Sequence, residues 1–162
     1  EKILVQITRS TTLWALGEDV WISEEDVYHS RNSMAEGAYS IVEVGGGITL
    51  TGIHRGIVNQ NLEIQGYLGV VPIGQGNQQM ESTITITDEE GHTGTFEGIL
   101  HYRGDFGIPQ TGFWAGYLIP FNAVSRGVWH GTGDFQGWTY VLEYEIINGG
   151  TPSPLVGYLL IP

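Results

Sequence analysis

Residues 80–87, Met-Glu-Ser-Thr-Ile-Thr-Ile-Thr, alternate without a break. Met80, Ser82, Ile84 and Ile86 fall on one side of an extended chain, and Glu81, Thr83, Thr85 and Thr87 fall on the other. A period of two is the mark of a strand with one buried face, and it is incompatible with the 3.6-residue period of an amphipathic helix. Short runs rich in β-branched and aromatic residues recur along the chain: KILVQIT (2–8), YSIVEV (39–44), ITLTGIH (48–54), NLEIQGYLGVV (61–71) and TGTFEGILHYR (93–103). GFWAGYLIP (112–120), SRGVWHG (125–131), WTYVLEYEII (138–147) and PLVGYLLI (154–161) complete the set. Gly45-Gly46-Gly47 and Asp88-Glu89-Glu90-Gly91 separate neighbouring runs as hairpin turns.

The expected fold is therefore all-β. About nine or ten strands at short spacing form a barrel or a sandwich, and closure removes the exposed edges of so large a sheet. A closed antiparallel β-barrel of about eight strands, built as one domain over residues 1–162, is the expectation, with a β-sandwich as the alternative. Glycine, 25 of 162 residues, is about twice its average share. Scattered among apolar runs, it suits sharply curved strands rather than disorder. Ser23-Glu24-Glu25-Asp26 resembles a helix cap, but no amphipathic run follows, so residues 17–37 are expected as a loop or a single turn. GDFGIPQTG (104–112) is expected as a long connection over one end.

Composition narrows the partners. The formal charge is −12, and Lys2 is the only lysine. A chain so poor in cations does not neutralise a phosphate backbone or an anionic lipid surface. No apolar run reaches the roughly 20 residues of a membrane helix. Without cysteine there is no disulfide and no thiolate chemistry. The chain opens at Glu1 directly before KILVQIT, as expected of a processed precursor or a trimmed sequence; a removed secretory signal is one explanation and would place the protein outside the cytoplasm.

The stretch His130-Gly-Thr-Gly-Asp-Phe-Gln-Gly-Trp138 tests three chemistries. A dinucleotide fingerprint requires Gly-x-Gly-x-x-Gly opening a helix. Here the last spacing is one residue too long, and the alternating aromatic run that follows opens no helix. A calcium-binding β-roll repeats its glycine-aspartate unit every nine residues, and this chain carries one imperfect copy. What remains is a strand bent through Gly131, Gly133 and Gly137, with Asp134 in a tight turn and Phe135 tucked inward.

Gly131, Thr132, Gly133, Phe135 and Gly137, followed by alternating aromatics, resemble the glycine-rich strand of the allene oxide cyclase and dirigent barrel proteins. PLVGYLLI is similar to their final strand, and the likeness covers about the last 35 residues. It implies an eight-stranded antiparallel, calycin-like barrel with an apolar lumen, often oligomeric, that steers ring closure or radical coupling of an apolar substrate or simply holds one. The family's first glycine is His130 here, and the matching positions do not place its catalytic residues on this chain.

Catalytic and metal motifs are sparse. His29, His54, His92, His101 and His130 show no paired-ligand spacing, so no metal is expected. Glu24-Glu25-Asp26 and Asp88-Glu89-Glu90 lack calcium-loop spacing and read as solvated turns. Glu143 and Glu145 share one strand face, their Cα atoms about 6.5–7 Å apart, compatible with a carboxylate pair but expected on the wet side opposite Trp138, Tyr140, Leu142 and Tyr144. The aromatic residues carry the functional reading. Trp129, Trp138, Tyr140, Tyr144, Tyr102, Phe113 and Tyr117 are expected to face a lumen that either they fill or that holds one small ligand. An inward Arg103 or Arg126 would favour a ligand with a carboxylate.

The resulting expectation is binding of a small apolar or aromatic molecule in the lumen, without cofactor. The alternatives are a cyclase or isomerase of the allene oxide cyclase type, and a secreted subunit that self-assembles by strand addition through KILVQIT.

Overall fold

The computed structural model describes residues 1–162. Ten strands run in chain order: β1 (Lys2–Arg9), β2 (Leu13–Ala15), β3 (Asp19–Ile22), β4 (Val27–Glu43), β5 (Thr49–Leu68), β6 (Val71–Asp88), β7 (Thr93–Gly107), β8 (Ile119–Gly131), β9 (Thr139–Ile146) and β10 (Leu155–Leu160). The only helical element is a 3-10 turn at Gly133–Phe135. Each long strand pairs antiparallel with its sequence neighbour from β4 to β10, and β1 pairs with both β10 and β4. Eight strands thus close on themselves.

On its side toward β1, β4 is covered by three short strands in succession. β1 takes Tyr39–Glu43, β2 takes Met34–Glu36 and β3 takes Tyr28–Arg31. β1 is hydrogen-bonded to β10 over Lys2–Ile7 and to β4 over Val5–Arg9. The lower end of the barrel holds the tight turns at Gly45–Gly47, Asp88–Gly91 and Thr132–Gly137. The upper end holds the β3–β4 turn, the β5–β6 hairpin tip and the connection from Ile108 to Leu118.

Residues alternate in and out along the strands as the period of two requires. Ser82, Ile84 and Ile86 are buried while Glu81, Thr83, Thr85 and Thr87 face outward. In the lower half the lumen is solid. Trp129 stacks on Tyr140 with ring centroids 4.7 Å apart, Phe96 leans on Phe135, and Trp138 meets Phe135 edge to face at 5.2 Å. Gly98 and Gly127 make room for the Trp129 indole. A Cβ at Gly98 would stand 2.0 Å from the Val128 carbonyl oxygen, and one at Gly127 2.2 Å from the Trp129 ring. These two glycines are spatial requirements of the ring stack, since interiors this dense give way only at a cost.

Three expectations require correction. Residues 17–37 are not a loop, because Asp19–Ile22 and Val27 onward are strands joined by a turn in which the Asp26 amide donates to the Ser23 carbonyl. The N-terminal half of β4 hides its periodicity because its inward residues, Ser30, Ser33, Ala35 and Gly37, are small or polar. A bulge between Ser30 and Ser33, with Asn32 at φ 58°, also shifts the phase. Second, ITLTGIH and the first eight residues of NLEIQGYLGVV belong to one continuous strand, β5, which turns at Gly69–Val70 into β6. Third, residues 112–117 form turns rather than a strand, with Gly112 and Gly116 at positive φ, a region that glycine enters freely.

Candidate functional site

The inward alternation of β1 runs Ile3, Val5, Ile7 and then Arg9. Arg9 is the one basic side chain this alternation carries into the lumen, above the aromatic floor. Its Nη2 donates to the hydroxyls of Tyr102 on β7 and Tyr144 on β9. Those hydroxyls are also hydrogen-bonded to each other at 2.6 Å, and the guanidinium lies 5.5 Å from the Tyr144 ring centroid, within cation–π range. A second phenol pair, Tyr39 with Tyr140 at 2.7 Å, closes the layer beneath. Arg9 forms no ion pair with any carboxylate.

His54 projects inward from β5 and is almost fully buried at 3% exposure. One ring nitrogen, Nε2, lies 2.8 Å from the Ser10 carbonyl oxygen, which fixes it as the protonated donor. The other, Nδ1, is then a bare acceptor, and it is buried with no hydrogen-bond partner. Burial lowers the His54 pKa, the nearby Arg9 charge lowers it further, and the Ser10 contact offsets part of this, so the ring is neutral at neutral pH.

The phenols are neutral as well. Burial pushes Tyr39 up to about 12, and it also raises Tyr140, Tyr144 and Tyr117. Burial pulls Arg9 downward, but the Tyr102, Tyr144 and Tyr39 phenols outweigh it and the guanidinium stays charged. The site is a charged donor and a free acceptor set among neutral hydroxyls.

Between these groups lies a cavity of about 80 Å³, walled by Arg9, His54, Gln78, Tyr102 and Tyr117 on its polar side and by Ala35, Val58 and Met80 on its apolar side. The connection Ile108–Leu118 roofs it as a strap. Gln60 latches the strap, with its Nε2 donating to the Gly116 carbonyl at 2.8 Å and its Oε1 accepting from the Leu118 amide at 3.0 Å and from Gln78 Nε2 at 2.8 Å. The Tyr28 hydroxyl donates to the same Gly116 carbonyl at 3.0 Å, and Trp14 Nε1 donates to the Ala115 carbonyl at 3.3 Å. A much larger concavity, about 1020 Å³, lies on the outer face of β6 to β9 around His101, Arg103, Arg126 and Glu143. It is open to solvent, and its Arg126 is already paired with Glu143 at 2.9 Å, so the enclosed cavity is the better-built site.

The aromatic residues singled out from the sequence divide into three groups. Trp129, Tyr140 and Trp138 belong to the packed floor; Tyr102, Tyr144 and Tyr117 surround Arg9 or line the cavity. Phe113 is outside the lumen, 49% exposed on the strap, because Gly112 turns the chain there, and its ring meets Trp114 edge to face at 4.8 Å. Arg103 and Arg126 both point to solvent, and Arg9 holds the place considered for them. Glu143 and Glu145 occupy the exposed outer face, as expected. Asp134 sits in the 3-10 turn, its carboxylate accepting from the Thr93 amide at 2.8 Å, and Phe135 is buried.

The residues missed from the sequence are Arg9, His54, Gln60 and Gln78. The signal for Arg9 was the alternation of KILVQIT carried one step further; for His54 it was its even spacing from Leu50 and Val58. No protein-family model, no curated protein and no solved structure matches this chain.

Proposed function

We propose that the barrel binds a compact small molecule in the upper half of its lumen, its apolar side against Val58, Met80 and the Tyr102 and Tyr117 rings. The lower half is occupied by the protein's own rings, so an apolar guest has no room there. The observation that carries the reading is a largely enclosed cavity walled in part by His54, a residue whose buried Nδ1 has no hydrogen-bond partner. Buried polar atoms are almost always hydrogen-bonded, and a guest with one donor group supplies what this nitrogen lacks. Methyl and imidazole NMR shifts of Val58, Met80 and His54 test it, with isopropanol, acetone, acetate and acetamide as probes. Saturable shifts confined to these residues, and lost when Ala35→Leu fills the cavity, are expected. Unchanged spectra across all four probes would refute lumen binding.

A second reading, an isomerase of the allene oxide cyclase type, draws on the same nitrogen. A neutral imidazole with a free lone pair, close to a guanidinium and two phenols, has the parts of a general base and an oxyanion holder. Turnover by that route would be abolished in His54→Gln while binding of the guest survived.

A further inference from the structure

We infer that the group recognised in the lumen is a small planar oxyanion, a carboxylate or its equal in size and shape, held by Arg9. This rests on the lumen being the binding site. The warrant is electrostatic. A guanidinium brought away from water is costly unless it is paired with an opposite charge, so an anion that enters beside it gains a pairing the protein itself leaves out. Arg9 has only neutral partners: Tyr102 and Tyr144 accept from one of its nitrogens, and neither cancels its charge. Its Nη1 and Nε make no hydrogen bond within the protein, which leaves N–H donors on both of these nitrogens for the oxygens of an anion.

The whole chain sharpens the point. With 18 acidic residues against six basic ones, a carboxylate partner for Arg9 would have been easy to supply. Every other wall residue of the cavity is uncharged at neutral pH: His54 is neutral, and Gln78, Tyr102, Tyr117, Thr11, Ala35, Val58 and Met80 carry no charge. The cavity therefore presents one positive charge and no negative one.

Size defines the class. An apolar cavity of roughly 150 Å³ accommodates a benzene molecule. The 80 Å³ here is about half of that and accepts a group the size of acetate, nitrate or bicarbonate. That anion is either free or the head of a longer acid whose tail leaves past the strap. In both cases the oxygens face Arg9. A protonated or hydroxyl-bearing end of the guest would complete His54 Nδ1.

The test uses the intact protein in anion-poor buffer, with NMR titration of the lumen methyl groups and thermal melting as readouts. Acetate should bind at least tenfold more tightly than acetamide, its uncharged isostere, and should raise the melting temperature. Arg9→Met should lose this preference, and Arg9→Lys should keep the charge but weaken binding because one ammonium replaces the several fixed N–H donors of the guanidinium. Arg9→Met leaves the Tyr102–Tyr144 hydrogen bond in place, and the acetate-to-acetamide ratio on the unaltered protein stands on its own if that variant does not fold. Octanoate binding more tightly than acetate assigns the head of a longer acid; equal or weaker binding assigns a free anion. Equal binding of acetate and acetamide, or full acetate binding by Arg9→Met, overturns the inference and leaves lumen binding standing. Silence from both probes overturns the two together.

Discussion

Replacing Tyr39 by phenylalanine removes one hydroxyl from a buried pair and strands the other. The Tyr39 and Tyr140 hydroxyls lie 2.7 Å apart, with the residues 4% and 0% exposed. Each is therefore the other's substitute for water. A polar group left without a partner at such a site costs about 1–3 kcal/mol, whereas removing both partners together is close to neutral. Tyr39→Phe and Tyr140→Phe should each destabilise by about 2 kcal/mol, which for a domain of this size lowers the melting temperature by about 4–8 °C. The double variant should lose far less than the sum, because two phenylalanine rings keep the edge-to-face contact now seen at 79° and 6.3 Å. A coupling energy of about 2–3 kcal/mol is expected from the double-mutant cycle, with the double variant only about 1–2 kcal/mol less stable than the parent. Urea unfolding followed by tryptophan fluorescence reads it directly, since Trp129 is stacked on Tyr140. Strict additivity, with the double variant losing the sum of the single losses, would refute the claim that the two hydroxyls depend on each other.

Gln60→Leu should release the strap before it unfolds the barrel. It strands the Leu118 amide and Gln78 Nε2, at a cost of about 2–4 kcal/mol, and hydrogen exchange at Leu118 should accelerate while Ile84 and Leu142 stay protected; unchanged Leu118 protection would exclude the latch. His54 should titrate below the usual histidine value near 6.5, because burial disfavours its charged form. With the folded pKa lowered, its contribution to stability is present above the unfolded-state value and is lost as pH falls through the folded one; an imidazole NMR midpoint at or above 6.5 would contradict the buried, neutral ring. On the surface His92 should behave oppositely, raised by its hydrogen bond to Asp88 at 2.7 Å. Its contribution is full below the unfolded-state histidine value and is lost as pH rises through the raised one. Desolvation pushes Asp88 up, but hydrogen bonds from the His92 side chain and from the His92 and Glu90 amides leave it lowered. The contribution of Asp88 is present above the usual carboxylate value and lost as pH falls through the lowered one. Asp88→Asn should lower the His92 midpoint toward the ordinary value, with Glu90 and Asp134 still raising it, and a midpoint unaffected by that change would show the contact is not made in solution.

Periodicity and turn chemistry are local, and local features are what a linear reading captures well. The strict alternation of residues 80–87, the turns at Gly45–Gly47 and Asp88–Gly91, the inward Phe135 and the outward Glu143 and Glu145 all depend on a few consecutive residues. They follow from the pleat and from backbone sterics. The β-barrel followed in turn, because so many half-buried strands leave edges that closure removes. Where local signal was weak the reading faltered, as in the small, bulged half of β4 and the glycine turns around Phe113.

The composition of the site belongs to the tertiary structure. A period of two says that Arg9 and His54 point inward, but not which strands they will meet or at what height. Register and closure decide that. β1 joins β10 to β4, and the strand pairings place Arg9 beside Tyr102 and Tyr144 from strands more than ninety residues away. Whether the lumen would be filled or hollow was equally beyond local reading. It depends on whether Trp129, Tyr140, Phe96 and Phe135 interlock without gaps, and on where the strap comes to rest. Volume left over is a property of all the side chains packed together, so no single stretch of the chain encodes it.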